Sequence, residues 1–241
     1  MVKESMPPEE RVKFFVYIIE SPNPSDLYHK RYEGDMLQKA LSLDSIYSSH
    51  RIAANKVAFH TALLNGLNEE ISRHRGLIPV IHISAHGSSE GIALTSEEII
   101  SWDSLKEALL PINKALNNNL LLCMSSCEGF SACRMAMAED DISPFFGVVG
   151  NSGKPTWSDT AIAYATFYHL IVKGCYLRDA VKAMCESSND DKFQLITSVE
   201  AKKVYLDVIK EQNANNLKRE LEQEIRNNPP SAEAKDLENK S

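Results

Sequence analysis

Two side chains with complementary chemistry follow two apolar segments of the sequence. His86 comes after the apolar run 78–84, and Cys127 comes after the apolar run 120–124. A thiolate attacks a carbonyl carbon far better than a neutral thiol does. An imidazole, which titrates near neutral pH, takes the thiol proton and returns it to a leaving amine. The two residue types together therefore predict a cysteine nucleophile with a histidine general base.

The neighbours of these two residues fit the same chemistry. Gly87 has no side chain that would obstruct an approaching peptide. Its backbone N–H, together with that of Cys127, is predicted to hold the negatively charged oxygen of a tetrahedral intermediate. Cys127 also precedes a predicted helix at 131–139, and the positive N-terminal end of a helix favours a thiolate.

The apolar runs before His86 and Cys127 have the pattern of interior strands. Both runs are too short for a typical helix and apolar on both faces, as in a parallel sheet covered on its two sides. Adjacent strands lie roughly 5 Å apart. If these two strands are neighbours, His86 and Cys127 meet at the carboxyl edge of the sheet, where α/β proteins bind their ligands.

The rest of the chain alternates between short apolar runs and segments with helical periodicity. Further strands are predicted at 14–19, 145–150 and 193–197. Helices are predicted at 33–43, 51–74, 102–116, 131–139, 158–173, 177–186 and 199–225. This alternation predicts right-handed crossovers and an α/β fold with a mostly parallel central sheet and helices on both faces.

One large domain with two flanking segments is expected. The predicted division is a flexible lead-in at 1–12, the domain at 13–210, and a charged helical extension with a disordered tail at 211–241. Leu217, Leu221 and Ile225 fall at helical spacing in the extension. They indicate either a solvated helix with a few apolar residues or a face that docks on a partner, and the sequence does not decide between these.

The amino-acid composition argues against nucleic acids, membranes and metals as partners of this protein. The 241 residues carry 26 Lys plus Arg against 33 Asp plus Glu, a formal net charge of -7, which repels nucleic acid phosphates. We expect no membrane partner and a cytoplasmic location, because no apolar run reaches the roughly 20 residues of a bilayer span and the N-terminus lacks a signal-peptide core. Five cysteines without a CxxC pair predict no disulfides, no metal and no cofactor.

Other residues whose side chains could bind a metal or react are predicted to have structural roles. His82 is predicted to pack within the sheet, because the extended chain between it and His86 is too long for both to bind one metal. Cys123 and Cys133 are predicted to be core residues. Asp159 either caps the helix that follows, which we slightly favour, or faces the pocket and selects a basic residue of the substrate.

The motifs around the two reactive residues resemble those of caspase-like cysteine peptidases, above all their CHAT branch. The carriers of this resemblance are Ser84-Ala85-His86-Gly87 after one strand and Ser125-Ser126-Cys127-Glu128-Gly129 after the next. The similarity extends over about 14–197 and includes the segment 150–174 with Trp157-Ser158-Asp159. True caspases carry Q-A-C-x-G at the nucleophile, so cleavage after aspartate is not implied here.

The resemblance implies a fold, a reaction and a set of roles. The fold is the caspase-type three-layer α/β sandwich, and the reaction is peptide-bond hydrolysis through an acyl-enzyme without a metal. His86 and Cys127 would be the catalytic pair, with Gly87 in the oxyanion site. By the same resemblance, the enzyme cuts specific protein substrates in bacterial defence or cell death after activation by a partner protein, by cleavage or by a ligand.

Two other functions stay open at this point. A caspase-fold module that only binds peptides would not need the reactive pair. The same pair would also support acyl transfer or ester hydrolysis on a small molecule, which requires a pocket for that molecule.

Overall fold

The computed structural model describes residues 6–7, 11–138 and 142–227. This part of the chain contains the strands β1 Phe14–Ser21, β2 Ser48–Ile52, β3 Ile78–Ser88, β4 Gly91–Ala93, β5 Ile99–Ser101, β6 Leu121–Ser125, β7 Gly147–Asn151 and β8 Phe193–Thr197. Its α-helices are α1 Pro24–Tyr28, α2 Glu33–Leu43, α3 Lys56–His60, α4 Leu67–Arg73, α5 Trp102–Ala115, α6 Trp157–Val172, α7 Leu177–Ser188 and α8 Ser198–Asn227. A π-helical turn at Thr61–Gly66 joins α3 to α4, and a 3-10 helix spans Gly129–Ala136.

The main sheet has the strand order β2-β1-β3-β6-β7-β8. Every pair in this order is parallel except β7 with β8, which is antiparallel. The short strands β4 and β5 extend antiparallel from the end of β3. The predicted α/β fold with a mostly parallel sheet is therefore confirmed.

Helices cover both faces of this sheet. Along β1, Phe15, Tyr17 and Ile19 belong to one buried cluster, whereas Val16 and Ile18 belong to the other. The first cluster is completed by side chains from α3, α4, α5 and the 3-10 helix, and the second by side chains from α2, α6 and α7. Since successive side chains of a strand point to opposite faces, these clusters are the two cores of a three-layer sandwich.

Most predicted elements lie where the sequence placed them. The strands predicted at 14–19, 78–84, 120–124, 145–150 and 193–197 correspond to β1, β3, β6, β7 and β8. The helices predicted at 33–43, 102–116, 158–173, 177–186 and 199–225 correspond to α2, α5, α6, α7 and α8. These segments have strong periodicity or long apolar runs, which are the most reliable signals in a single sequence.

Three local predictions were wrong. The helix predicted at 51–74 begins only at Lys56, because residues 51–52 end the edge strand β2, whose polar sequence lacks the pattern of a buried strand. Helix α1 was missed: Pro24 stands in its first turn, where proline is favoured, and the Asn23 side chain caps it. The helix predicted at 131–139 is a 3-10 helix that begins at Gly129 and ends at Ala136.

The proposed division into segments stays a prediction. Helix α8 runs without a break across the predicted boundary at 210, and Leu217 on it is exposed. The predicted tail at 228–241, the side chains of Leu221 and Ile225, and most of the predicted lead-in lie outside the described residues. None of the described helices combines the length and the apolar character that a membrane crossing needs.

Truncating a side chain at the centre of the sheet tests this packing. We expect Leu122→Ala, on the fully buried strand β6, to lower the free energy of unfolding by about 2 to 5 kcal/mol, because it leaves a cavity. Leu43→Ala, at a position that is 88% exposed, should change it by less than about 0.5 kcal/mol. Urea unfolding followed by circular dichroism measures both, and equal losses would contradict the assigned core.

Candidate active site

The parallel register of β3 and β6 brings the two reactive residues to one edge of the sheet. Ser84 on β3 lies opposite Ser125 on β6. His86 follows Ser84 by two residues, and Cys127 follows Ser125 by two residues. Both His86 and Cys127 line the same pocket at the carboxyl ends of the two strands. The two strands are neighbours, which is the condition under which His86 and Cys127 were expected from the sequence to meet.

Gly87 lets the His86 segment touch the backbone at Cys127. A Cβ atom added to Gly87 would lie 2.1 Å from the carbonyl oxygen of Cys127 and 2.8 Å from Oγ of Ser126. Such distances are shorter than any van der Waals contact, so only glycine fits at this position. The apolar run ends at Ser84, but β3 continues to Ser88 and pairs there with β4, so His86 lies within the strand and not in a loop that follows it.

Cys127 lies in a tight turn between β6 and the 3-10 helix. The next residue, Glu128, has left-handed backbone geometry with a φ of 51°, and its N–H donates to the carbonyl of Gly153 at 2.6 Å. The N–H of Gly129 donates to the carbonyl of Ser126 at 3.1 Å. Within the described ranges, the N–H of Cys127 has no acceptor. This donor is available to a bound oxyanion.

The pocket beside the two residues is small. Its volume is about 30 Å³, and its lining residues are Ala85, His86, Ser125, Ser126, Cys127, Pro155, Trp157 and Thr160. The Trp157 ring stands edge-to-face against the His86 ring, with 6.3 Å between the ring centroids. Trp157 therefore forms an apolar wall that touches the histidine, and three hydroxyl-bearing residues form much of the remaining lining.

A buried carboxylate that sequence reasoning missed lies behind this pocket. Glu33, the first residue of α2, accepts hydrogen bonds from Oγ of Ser84 at 2.5 Å and from Oγ of Ser125 at 2.7 Å. Burial raises the pKa of Glu33 from 4.5 to about 7; the hydroxyl hydrogen bonds oppose this shift, and the nearby Glu20 adds to it. Glu33 thus connects the two strand positions that precede His86 and Cys127.

A second buried carboxylate holds the start of α2 against the sheet. Glu20 on β1 accepts hydrogen bonds from the N–H groups of Glu33 and Gly34, both at 2.9 Å. Nε2 of His50 lies 2.8 Å from a Glu20 carboxylate oxygen. These contacts fix the first turn of α2, and therefore Glu33, behind the ends of β3 and β6.

His82 is packed within the sheet, as predicted. Its Nδ1 lies 2.9 Å from the hydroxyl of Tyr168, and its Nε2 lies 3.8 Å from Oε1 of Glu33. Burial lowers the pKa of His82 to about 3, with a smaller contribution from His50, so the ring is neutral. His82 therefore supplies no positive charge to Glu33.

The remaining candidates also occupy structural positions. Asp159 accepts hydrogen bonds from the N–H and the hydroxyl of Thr156, and its own N–H donates to Thr156, which completes a capping box at the start of α6. Asp159 is not among the pocket-lining residues, so the capping alternative is the one observed. Cys123 and Cys133 are core residues, and burial raises the pKa of both thiols, to about 12 for Cys123.

Comparison with known proteins gives a match in structure but not in sequence. No protein-family model and no curated protein matches this chain. The X-ray structure of a secreted C11 cysteine protease from Bacteroides thetaiotaomicron, bound to an irreversible peptide inhibitor, is similar with a TM-score of 0.52 and 8% identity. The match covers 78% of this chain and 67% of that protease.

The crystal structure of the Arg-specific cysteine proteinase gingipain R also aligns, with a TM-score of 0.44 and 12% identity, over 78% of this chain and 48% of that one. This chain thus spans about half of the gingipain chain. The likeness to the C11 protease establishes a caspase-like fold. Neither structure supports the CHAT branch in particular, which stays a prediction from the motifs.

A methyl group at Gly87 tests the contact between the end of β3 and the Cys127 turn. We expect Gly87→Ala to separate β3 from the Cys127 turn, because the added Cβ would overlap the Cys127 carbonyl oxygen. The variant should lose about 2 kcal/mol or more of unfolding free energy, whereas Ser88→Ala at the next, exposed position should be nearly neutral. Urea unfolding of the two variants makes the comparison, and a neutral Gly87→Ala would contradict the contact.

The raised pKa of Glu33 predicts how stability depends on pH. The folded state holds the Glu33 proton more tightly than the unfolded chain does. The stabilisation of the folded state by protonated Glu33 is therefore complete below pH 4.5 and is lost as the pH rises through about 7. Between pH 4.5 and pH 8, the unfolding free energy of the wild type should therefore fall by about 3 kcal/mol more than that of Glu33→Gln. Urea unfolding across this range measures the difference, and parallel pH curves would rule out the buried, proton-holding carboxyl group.

Proposed function

We propose that this protein is a cysteine endopeptidase in which Cys127 is the nucleophile and His86 is the general base. The observation that carries the proposal is the register of β3 and β6, which places both residues at one pocket on the carboxyl edge of a parallel sheet. The fold likeness to a cysteine protease bound by a peptide inhibitor supports it.

Acylation begins when His86 takes the proton of the Cys127 thiol and the sulfur attacks the carbonyl carbon of the scissile peptide bond. The carbonyl oxygen becomes an oxyanion, which the N–H groups of Cys127 and Gly87 stabilise. When the tetrahedral intermediate collapses, the C–N bond breaks and the departing amine takes the proton from His86. The N-terminal part of the substrate is then bound to sulfur as a thioester.

Deacylation repeats these steps with water. His86 takes a proton from a water molecule, and the hydroxide attacks the thioester carbon under the same oxyanion donors. The C–S bond breaks, the thiolate of Cys127 recovers the proton from His86, and a carboxylic acid leaves. No metal or redox group takes part in this sequence of steps.

The dimensions of the site favour a polypeptide substrate over a small molecule. Pockets that enclose drug-sized ligands measure about 300 to 1,000 Å³, whereas this pocket has a volume of about 30 Å³. Only the end of one narrow side chain fits inside. Because His86 is exposed and Cys127 is partly exposed, the rest of an extended chain can lie along the surface. This argues against acyl transfer or ester hydrolysis on a small molecule.

The biological setting belongs to the proposal as well. We propose that the enzyme cuts specific protein partners in the cytoplasm, that a partner protein activates it, and that it acts in bacterial defence or cell death. The support for the activating partner and for this setting is the resemblance of the two motifs to the CHAT branch.

Covalent labelling tests the proposed reaction. Peptide acyloxymethyl ketones that differ at the residue before the scissile bond should each add one peptidyl group, located at Cys127 by intact mass and peptide mapping. Cys127→Ala should abolish this labelling, and His86→Ala should slow it by about a hundredfold or more, because the thiol loses its base.

Unreactive and buried cysteines serve as internal controls in the same experiment. Cys123 is fully buried and Cys133 nearly so, and both should stay unmodified. Labelling spread over other cysteines, or unchanged in His86→Ala, would overturn the endopeptidase mechanism. Peptide binding without labelling would instead support the alternative of a catalytically silent peptide-binding module.

A further inference from the structure

The hydroxyl groups of the pocket are arranged to accept hydrogen bonds. Ser125 donates its only hydroxyl proton to Glu33, and Thr160 donates its own to the carbonyl of Trp157 at 3.0 Å. A hydroxyl that has committed its proton offers only lone pairs to a ligand. Both pocket-lining oxygens are therefore acceptors for a group that enters.

A third hydroxyl in the pocket has no partner. Oγ of Ser126 is buried, and within the described part of the chain it makes no hydrogen bond. Buried polar groups are nearly always paired, so an unpaired one that lines a pocket is free to bond a group that enters it. Together with Ser125 and Thr160, Ser126 gives the pocket three hydroxyl oxygens.

The buried carboxyl group of Glu33 lies directly behind these oxygens. Glu33 is buried, its carboxyl group accepts hydrogen bonds from the neutral hydroxyls of Ser84 and Ser125, and the Thr160 hydroxyl also lies close enough to lower its pKa. Glu20 lies close enough to Glu33 to raise its pKa, and His82 is neutral. The surroundings of the pocket floor are therefore anionic whenever Glu33 is ionised, and a cation in the pocket would favour that ionised form.

We propose that this pocket binds a lysine side chain on the N-terminal side of the cleaved bond, and that Glu33 is the residue that determines this specificity. The inference rests on the proposed function and names the substrate class for the same site. Glu33 acts through Ser125, whose proton it accepts and whose lone pairs it thereby directs to the ligand.

The chemistry and size of an ammonium group match the pocket. An ammonium group has three donors and no acceptor, which complements three hydroxyl oxygens. A water-sized group needs about 10 to 15 Å³, so the volume of about 30 Å³ admits a compact ammonium group. The hydrocarbon stem of lysine would lie against the apolar surfaces of Trp157 and Pro155 at the pocket.

Other side chains fit less well. The planar guanidinium of arginine is larger than an ammonium group and has five donors for three oxygens. A carboxylate would face the hydroxyls of Ser125 and Thr160, whose protons are already donated, with the Glu33 carboxyl group behind them. Norleucine has nearly the shape of lysine but leaves the oxygens unpaired, so it is the matched neutral probe.

The test compares peptide acyloxymethyl ketones that carry lysine, norleucine, arginine or aspartate before the reactive carbonyl and are otherwise identical. The second-order rate of Cys127 labelling is measured for each by intact mass. We expect the lysine probe to react at least about tenfold faster than the norleucine probe, with arginine between them and aspartate slowest, because desolvated acceptors reject ligands without donors.

Variants assign the preference to Glu33. Glu33→Gln should reduce the lysine-to-norleucine ratio about tenfold by slowing the lysine probe, whereas a purely structural role would slow both probes equally. Asp159→Asn, which removes the acidic group of the α6 capping box, should leave the ratio unchanged. If Glu33→Gln fails to fold, Thr160→Val removes one acceptor and should lower the ratio by a smaller factor.

The outcomes separate this inference from the proposed function. Labelling of Cys127 without a lysine preference in the wild type, or a lysine preference that Glu33→Gln leaves intact, would overturn the inference and keep the endopeptidase. No labelling by any probe would overturn both.

Discussion

The parallel pairing of β3 with β6 is the constraint on which the site depends. Both strands are buried on both faces, and their register is fixed by side chains that enter the two cores alternately: Ile81 and Ile83 face one core, and His82 faces the aromatic residues of α6. A slip of one residue would turn every side chain of a strand to the opposite face. The same packing that stabilises the sheet therefore sets the position of His86 relative to Cys127.

The site also depends on polar groups that are costly to bury. Glu20 and Glu33 are both buried, and each is held by hydrogen bonds, Glu20 by the first N–H groups of α2 and Glu33 by Ser84 and Ser125. An apolar residue at either position would avoid the desolvation cost. Carboxylates with strongly raised pKa values cluster at functional sites, and the position of Glu33 behind the pocket fits that tendency.

Glycine and turn geometry complete the contact between the two strand ends. Gly87 allows the end of β3 to approach the Cys127 carbonyl oxygen, and the left-handed Glu128 turns the chain from β6 into the 3-10 helix. Both features bring two backbone segments together around the position of one substrate bond.

Features that depend on a strong local sequence pattern were predicted correctly, whereas features that depend on contacts between distant parts of the chain were not. The strands that carry His86 and Cys127 were predicted correctly, because buried parallel strands are continuous apolar runs. The edge strand Ser48–Ile52 was missed, because its polar composition reflects exposure rather than strand pairing. Glu33 was missed for a different reason: an acidic residue in the first turn of a helix is common, and only the tertiary structure reveals the serines that meet it.

The most direct measurement is a crystal structure of the protein after reaction with a lysyl acyloxymethyl ketone. The account predicts a bond from Sγ of Cys127 to the inhibitor, with the ketone oxygen about 3 Å from the N–H groups of Gly87 and Cys127 and His86 beside the sulfur. An adduct on another cysteine, or one at Cys127 with His86 turned away and the ketone oxygen far from both donors, would contradict the account.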